Sequence, residues 1–491
     1  MKYGPSLESI QQHHAPDWYH DAKLGIMITW GLYSIPAFAS SQVGPFPRSI
    51  VEHGFKKHFL HNPYAEWYLN TMRLKDSPTA EHHRKTYGPD FKYDDFIPRF
   101  NKAAREWDPE EWGDLFRRIQ ARYAVLVSRH CDGFALWPSR HPHPLKGRYH
   151  AERNIVAELS AAVRKRGLKM GLYYCTGMEW NFVTEPIHDF ISSFCNCPVD
   201  PRYLEFCRNQ LLELIHDFTP SVLWADVGYP PKGNVAEILA AYYNAVPEGV
   251  VNDRFFQASL QARRLLQFAP LGSVSRRING AIADAIARRV MAKMVNVNLN
   301  PLHKDFITPE YSSFPEIQAQ KWEACRGIGH SFGHNQSAPD SDCLSVDQLI
   351  RLLVDIVSKN GNLLLNVGPA ANGQITEIEK DRLIGLGRWL EVNGPAIFNT
   401  RPWRRAEGKT GEGIDVRFTR NGKDVYALLL ATPQTEMVSI KSFGPDPVMR
   451  VTLLGSDLPL RHEIRGADLW LPFPGGLQQS AVWTYRIEMA D

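Results

Sequence analysis

Through about the first 400 residues, short apolar runs alternate with segments of helical periodicity, and this rhythm limits the fold more than any other feature of the chain. Runs of four to eight apolar residues spaced by amphipathic helices are the pattern of parallel strands joined by crossover helices. The candidate strands are Leu24 to Trp30, Tyr123 to Ser128, Lys169 to Tyr174, Val222 to Asp226, Val250 to Asp253 and Leu363 to Val367. Between them, Leu204, Cys207, Leu211, Leu214, Ile215 and Phe218 follow three- and four-residue spacing, as do Leu349, Leu352, Leu353, Ile356 and Val357, and Gly361 offers a left-handed cap to the second helix. No Gly-rich nucleotide turn follows the first strand, so a (β/α) TIM-like barrel is favoured over an open doubly wound sheet. After Trp403 the period changes to two: Ile414, Val416 and Phe418 alternate, Asn421 and Gly422 form a hairpin signal, and Val425 to Leu430 and Val482 to Ile487 follow. The expected organisation is a catalytic barrel over residues 1–398 and a small C-terminal antiparallel β-sandwich over 399–491.

Composition narrows the class. Hydrophobic residues at 44% and charged residues at 22% exclude disordered and collagen-like chains, and a formal charge of +3 gives no reason to expect nucleic acid or an anionic membrane as partner. No stretch approaches the roughly 18 apolar residues of a membrane span, and the first residues lack a secretory apolar run, so a cytoplasmic location is the expectation. Seven dispersed cysteines fit reduced thiols, and His130, Cys131 and Asp132, being consecutive, cannot all chelate one ion, so neither metal nor cofactor is expected. Between Gln257 and His303 the bases Arg263, Arg264, Arg276, Arg277, Arg288, Arg289 and Lys293 face only Asp284 as an acid. This insertion reads as a solvated helical segment or oligomer contact, or else as a lid over the site.

In a barrel, polar residues closing apolar strands face the reaction. Four strands end that way: in Asp226, in Arg129 and His130, in Asp253 and Arg254, and in Tyr173 and Tyr174. Glycoside hydrolysis needs two carboxyl groups, one to attack the sugar and one to protonate the leaving oxygen. Asp226 is the natural first. For the second, Glu310 in an irregular Pro-containing segment stands ahead of Glu66, Glu316 and Glu323. Trp30, Trp67, Trp224 and Phe332 lie in or beside the same segments, and aromatic faces suit the apolar side of a sugar ring.

Taken together these segments resemble the α-L-fucosidases of glycoside hydrolase family 29. The resemblance is carried, in order, by AKLGIMITWGLYS at 22–34, EWY at 66–68, SRHCDGF at 128–134, GLYY at 171–174, WAD at 224–226, NDR at 252–254, TPEY at 308–311, SFG at 331–333 and GNLLLNVGP at 361–369. It implies a barrel followed by a β-sandwich, and a retaining exo-hydrolase of terminal α-L-fucosides acting on a fucosylated oligosaccharide or glycoconjugate, with a homo-oligomer by analogy. It also implies Asp226 as nucleophile and Glu310 as acid/base, with Glu66, Trp67, His130, Tyr173, Trp224 and Arg254 in the sugar pocket. Two positions depart from the family, which usually carries His where this chain has Thr29 and Cys131. Because both positions help hold fucose hydroxyls in the family, the departures imply weak fucoside activity or a related sugar such as an α-L-galactoside. A degenerate carbohydrate-binding or scaffold protein is the alternative of a different class.

Overall fold

The computed structural model describes residues 2–267, 272–292, 301–456, 458–474 and 480–490. Seven parallel strands form one sheet: β1 (Leu24–Ile28), β2 (Tyr123–Arg129), β3 (Lys169–Cys175), β4 (Val222–Asp226), β5 (Val250–Val251), β6 (Trp322–Gly327) and β7 (Gly361–Val367). The strand order is β5-β4-β3-β2-β1-β7-β6. The register runs unbroken in β1, with Ile26 opposite Ala124 on one side and Leu365 on the other. All five residues of β1 are buried, as expected of a parallel strand covered on both faces.

Six of these strands fall where the apolar runs predict them. The seventh, β6, has the sequence WEACRG and gives no apolar signal, yet Glu323 at its second position is fully buried. Its carboxylate accepts hydrogen bonds from Tyr19 (2.8 Å), Tyr123 (2.5 Å) and Trp224 Nε1 (3.1 Å), which replace the water it gives up. Isolated parallel bridges continue beyond both edges of the sheet, linking Asn252 to Phe306, Ile307 to Trp322 and Glu310 to Cys325.

The helix Pro201–Phe218 illustrates how the crossovers are built. Asp200 caps it by accepting from Arg202 N, Pro201 starts it, and Thr219 at φ 42° ends it in the left-handed region. Its inner face buries Phe206, Cys207, Leu211, Leu214 and Ile215, each large apolar side chain contributing about 1.5–3 kcal/mol. The helix Val346–Ser358 is closed differently from the expectation: Asn360 takes the left-handed turn at φ 74°, and Gly361 opens β7. A Cβ on Gly361 would lie 2.5 Å from Ile356 Cγ2 and 2.7 Å from the Trp322 ring, so the glycine answers a close approach and not a cap.

From Arg401 onward all strands are antiparallel. One sheet joins six of them, β8 (Arg401–Lys409), β9 (Asp415–Asn421), β10 (Asp424–Leu429), β12 (Val448–Leu453), β13 (Pro459–Leu460) and β16 (Trp483–Met489), in the order β13-β12-β16-β10-β9-β8. A second joins β11 (Met437–Ile440), β14 (Glu463–Arg465) and β15 (Asp468–Pro472) in the order β11-β15-β14. Asn421 pairs with Asp424 across a tight turn in which Gly422 has φ 57°, as the hairpin signal predicts. Phe418, Val425, Leu429, Val438, Leu453, Leu471 and Tyr485 form a core of their own. Tyr426, Leu428 and Val482 instead join the core of the parallel sheet.

Candidate active site

A cavity of about 330 Å³ opens where the parallel strands end, and its wall includes Asp226 and Glu310. Asp226 is the last residue of β4 and keeps 20% of its side-chain surface open. Its main-chain carbonyl is held by Thr176 N (3.3 Å), Gly177 N (3.2 Å) and Thr176 Oγ1 (3.0 Å). The next residue, Val227, sits at φ 52°, a strained state for a β-branched side chain. Glu310 is seated in the same manner: it bridges to Cys325 of β6, Tyr311 N donates to Cys325 O at 3.0 Å, and Tyr311 has φ 47°. Both carboxyls thus precede a forced turn whose flanks are pinned to neighbouring strands.

Arg254 lies between them. Its Nη1 is 3.3 Å from Asp226 Oδ1 and its Nη2 is 3.9 Å from Glu310 Oε2, while Nε and Nη2 donate to Thr308 Oγ1 and Thr308 O at 3.0 and 3.1 Å. Tyr173 OH donates to Asp226 Oδ2 at 2.8 Å, and Tyr64 OH donates to Glu310 Oε1 at 3.1 Å. The two carboxyls therefore differ in surroundings. Burial, with the charge of Asp226, pushes the Glu310 carboxyl up to about 7, against the opposing pull of Arg254 and the Tyr64 hydroxyl. Such a group holds a proton near neutral pH, as a general acid must.

The remaining wall is aromatic and hydrogen-bonding. Trp224 stacks on Tyr173 with centroids 5.4 Å apart, and His130 lies parallel to the far side of the tyrosine at 6.0 Å. Burial lowers His130 to about 3, so the ring is neutral, and its Nδ1 has no hydrogen-bond partner. Glu66 Oε2 accepts from Gly333 N at 2.8 Å, and burial raises its carboxyl to about 7. Trp67 and Phe332 also line this end, and Thr29 reaches it with its hydroxyl donated to Asn366 Oδ1 at 2.6 Å.

Two expected pocket residues lie elsewhere. Trp30 is 1% exposed, packs on Phe100, Trp107 and Trp112 with centroids 5.1 to 5.5 Å away, and donates Nε1 to Ala370 O. It follows Thr29 directly, and consecutive residues of an extended chain point to opposite faces. Cys131 is turned from the cavity for the same reason relative to His130, and its Sγ lies 3.0 Å from Cys175 Sγ in the core. Tyr64 was not among the sequence candidates. Its nearness to the EWY segment was the available signal, but only the fold brings its hydroxyl to Glu310.

The basic insertion reaches the same cavity. Within its helix Gly272–Met291, Asp284 accepts from Phe55 N at 3.1 Å, Arg288 donates to Val51 O at 2.9 Å, and Met291 lines the wall. Lys293 and the side chains of Arg276 and Arg277 lie outside the described residues. Away from the cavity, the metal-ligating atoms of His13, His303 and Asp305 lie within 4.8 Å of one another. His13 already spends both ring nitrogens, on Asp305 Oδ1 at 2.8 Å and Pro247 O at 3.2 Å, so the group reads as a hydrogen-bonded staple.

The profile of the family described as Alpha-L-fucosidase matches residues 1–395. Plasma alpha-L-fucosidase of Homo sapiens is 31% identical over all of this chain and 93% of its own length, and tissue alpha-L-fucosidase of Bos taurus is 28% identical over 99% and 91%. Among solved structures, Thermotoga maritima alpha-fucosidase in complex with fucose is 35% identical and superposes with a TM-score of 0.81 over 99% of this chain and 100% of that one. The same enzyme in complex with a mechanism-based inhibitor gives 0.82. On the match of profile, relatives and fold over nearly its whole length, this chain belongs to the α-L-fucosidase family, glycoside hydrolase family 29.

Proposed function

We propose that this protein is a retaining α-L-fucosidase that removes terminal L-fucose from fucosylated substrates, with Asp226 as nucleophile and Glu310 as acid and then base. The observation that carries the reading is the single Arg254 guanidinium reaching both carboxyls at the mouth of the parallel sheet. In the first step an Asp226 oxygen bonds to the anomeric carbon while Glu310 gives its proton to the departing glycosidic oxygen. In the second, Glu310 takes a proton from water, the water oxygen bonds to the same carbon, and Asp226 leaves as carboxylate. Arg254 and Tyr173 orient the Asp226 carboxylate for attack.

Around the sugar, Trp67 and Trp224 offer aromatic surface, while neutral His130 and the raised Glu66 offer polar atoms to hydroxyls. Thr29 has already given its only hydrogen to Asn366, so it meets the sugar as an acceptor, which supports a hydroxyl contact weaker than an imidazole would make. We further propose that the Asp305–Glu310 segment, bridged to Asn252 on one side and to β6 on the other, closes the parallel sheet as a (β/α) barrel, and that the two C-terminal sheets form a β-sandwich.

Proton NMR of the first product from an aryl α-L-fucoside tests the mechanism and should show the retained anomer. Asp226→Gly should lower kcat by about 10⁴-fold or more. In Glu310→Ala, azide should restore turnover of the aryl substrate as fucosyl azide, because azide attacks the glycosyl ester without a base. Unchanged turnover in both variants would refute the assignment.

A further inference from the structure

The cavity's lining extends past the sugar-end residues to Phe55, Phe59, Phe190 and Phe194, and this arm has a different chemistry. Among the described residues, the cavity's carboxylates and its guanidinium, on Glu66, Asp226, Arg254 and Glu310, sit at the sugar end. From Tyr64, whose hydroxyl touches Glu310, a chain of ring contacts runs outward through His58, Phe59, Phe55, Phe190 and Phe194, with successive centroids 6.3, 5.3, 6.2, 5.3 and 6.2 Å apart. Every one of these rings lines the cavity. His58 adds no charge, since burial lowers it to about 4 and Ser49 Oγ lies 2.5 Å from its Nδ1. The helix Gly272–Met291 walls the arm, with Met291 in the lining and Asp284 and Arg288 tied to Phe55 N and Val51 O on the segment that carries the rings.

The chemistry of the sugar end fixes which half of the substrate meets this arm. The acid/base protonates the glycosidic oxygen, so the group bonded to that oxygen lies on the Glu310 side, where the ring chain begins. A sugar in that place would bring several hydroxyls against phenylalanine faces, and each would lose water without gaining a partner. An alkyl or aryl group would bury surface at no such cost. Resting on the fucosidase reading, we propose that the Phe55, Phe59, Phe190 and Phe194 arm is a leaving-group site for apolar aglycones, so that the preferred substrates are α-L-fucosides of alkyl or aryl alcohols in place of fucosylated sugars.

The test compares octyl and methyl α-L-fucoside, whose leaving alcohols are of similar acidity and which differ in apolar length, with an α-L-fucosyl-galactose disaccharide as the polar case. In the unaltered enzyme kcat/KM for the octyl compound should exceed that for the methyl compound by about 30-fold, equivalent to about 2 kcal/mol or the burial of two to three methylenes. It should also exceed that for the disaccharide. In Phe190→Gln/Phe194→Gln the octyl-to-methyl ratio should fall below about fivefold. Because both rates are measured on one preparation, the ratio is independent of how much of the variant folds. An octyl-to-methyl ratio near one in the unaltered enzyme, a preference for the disaccharide, or a high ratio that survives the double substitution overturns the apolar arm while leaving the fucosidase reading intact. Failure to hydrolyse any of the three, or an aryl fucoside, overturns both.

Discussion

Tyr64→Phe deletes the one hydroxyl that donates to the carboxyl proposed as the acid, and the sign of its effect follows from the geometry. The tyrosine donates to Glu310 Oε1 at 3.1 Å and so favours the ionised carboxylate, drawing Glu310 down from where burial would hold it. Removing the donor leaves burial and Asp226 less opposed, and the proton is held more tightly. A hydrogen bond to a charged group is worth about 1.5–3 kcal/mol at good geometry, and at this distance about 1 kcal/mol is reasonable. At 1.36 kcal/mol per pH unit, the alkaline limb of kcat/KM should move up by about half a unit to one. The limb should fall near pH 7 in the unaltered enzyme, because activity needs Glu310 protonated and its carboxyl is raised to about 7. The assay is kcat/KM for an aryl α-L-fucoside between pH 4 and 9, which reports the free enzyme. Phe46 N, which donates to the same hydroxyl at 2.9 Å, loses its acceptor, so the melting temperature should fall slightly. A limb that stays in place or moves to lower pH would show that Tyr64 does not tune the acid, and a limb near the ordinary carboxylate range would remove Glu310 from that role.

The two misplaced candidates and the hidden strand supply three further tests. Trp30→Ala should cost about 3–5 kcal/mol of stability with KM for surviving enzyme little changed, whereas Trp67→Ala should raise KM for fucosides with a smaller loss of melting temperature; the opposite pattern would return Trp30 to the pocket. Thr29→His should raise kcat/KM for simple fucosides by about tenfold by placing an imidazole at the cavity wall, while Cys131→His should overfill the core beside Cys175 at a cost of about 1–3 kcal/mol, read by thermal melting. Glu323→Leu strands the hydroxyls of Tyr19 and Tyr123 and the indole of Trp224, so stability should fall by about 3 kcal/mol or more and KM should rise as the sugar wall loosens; an unaffected melting curve would mean the buried carboxylate is not what holds them.

Much of this site is legible in the chain alone, and the reason is local. A parallel strand buried on both faces must be apolar for its whole length, so a charged residue closing such a run, as Asp226 closes VLWAD and Arg254 follows VVND, marks the strand end where a site can form. The order of those ends, the helices between them and the change of period near Trp403 are likewise written in the chain. Tertiary structure decided what depends on neighbours distant in sequence. Thr29 and Trp30 are adjacent, yet one lines the cavity and the other fills the core, because facing is set by what packs on each side. Strand β6 was hidden since Glu323 is made tolerable only by Tyr19, Tyr123 and Trp224, residues about 100 to 300 positions away. Glu310 holds its proton near neutral pH only where burial, Asp226, Arg254 and Tyr64 meet around it, and a proton affinity set by burial and three groups distant in sequence has no signature in the residues that flank it in the chain.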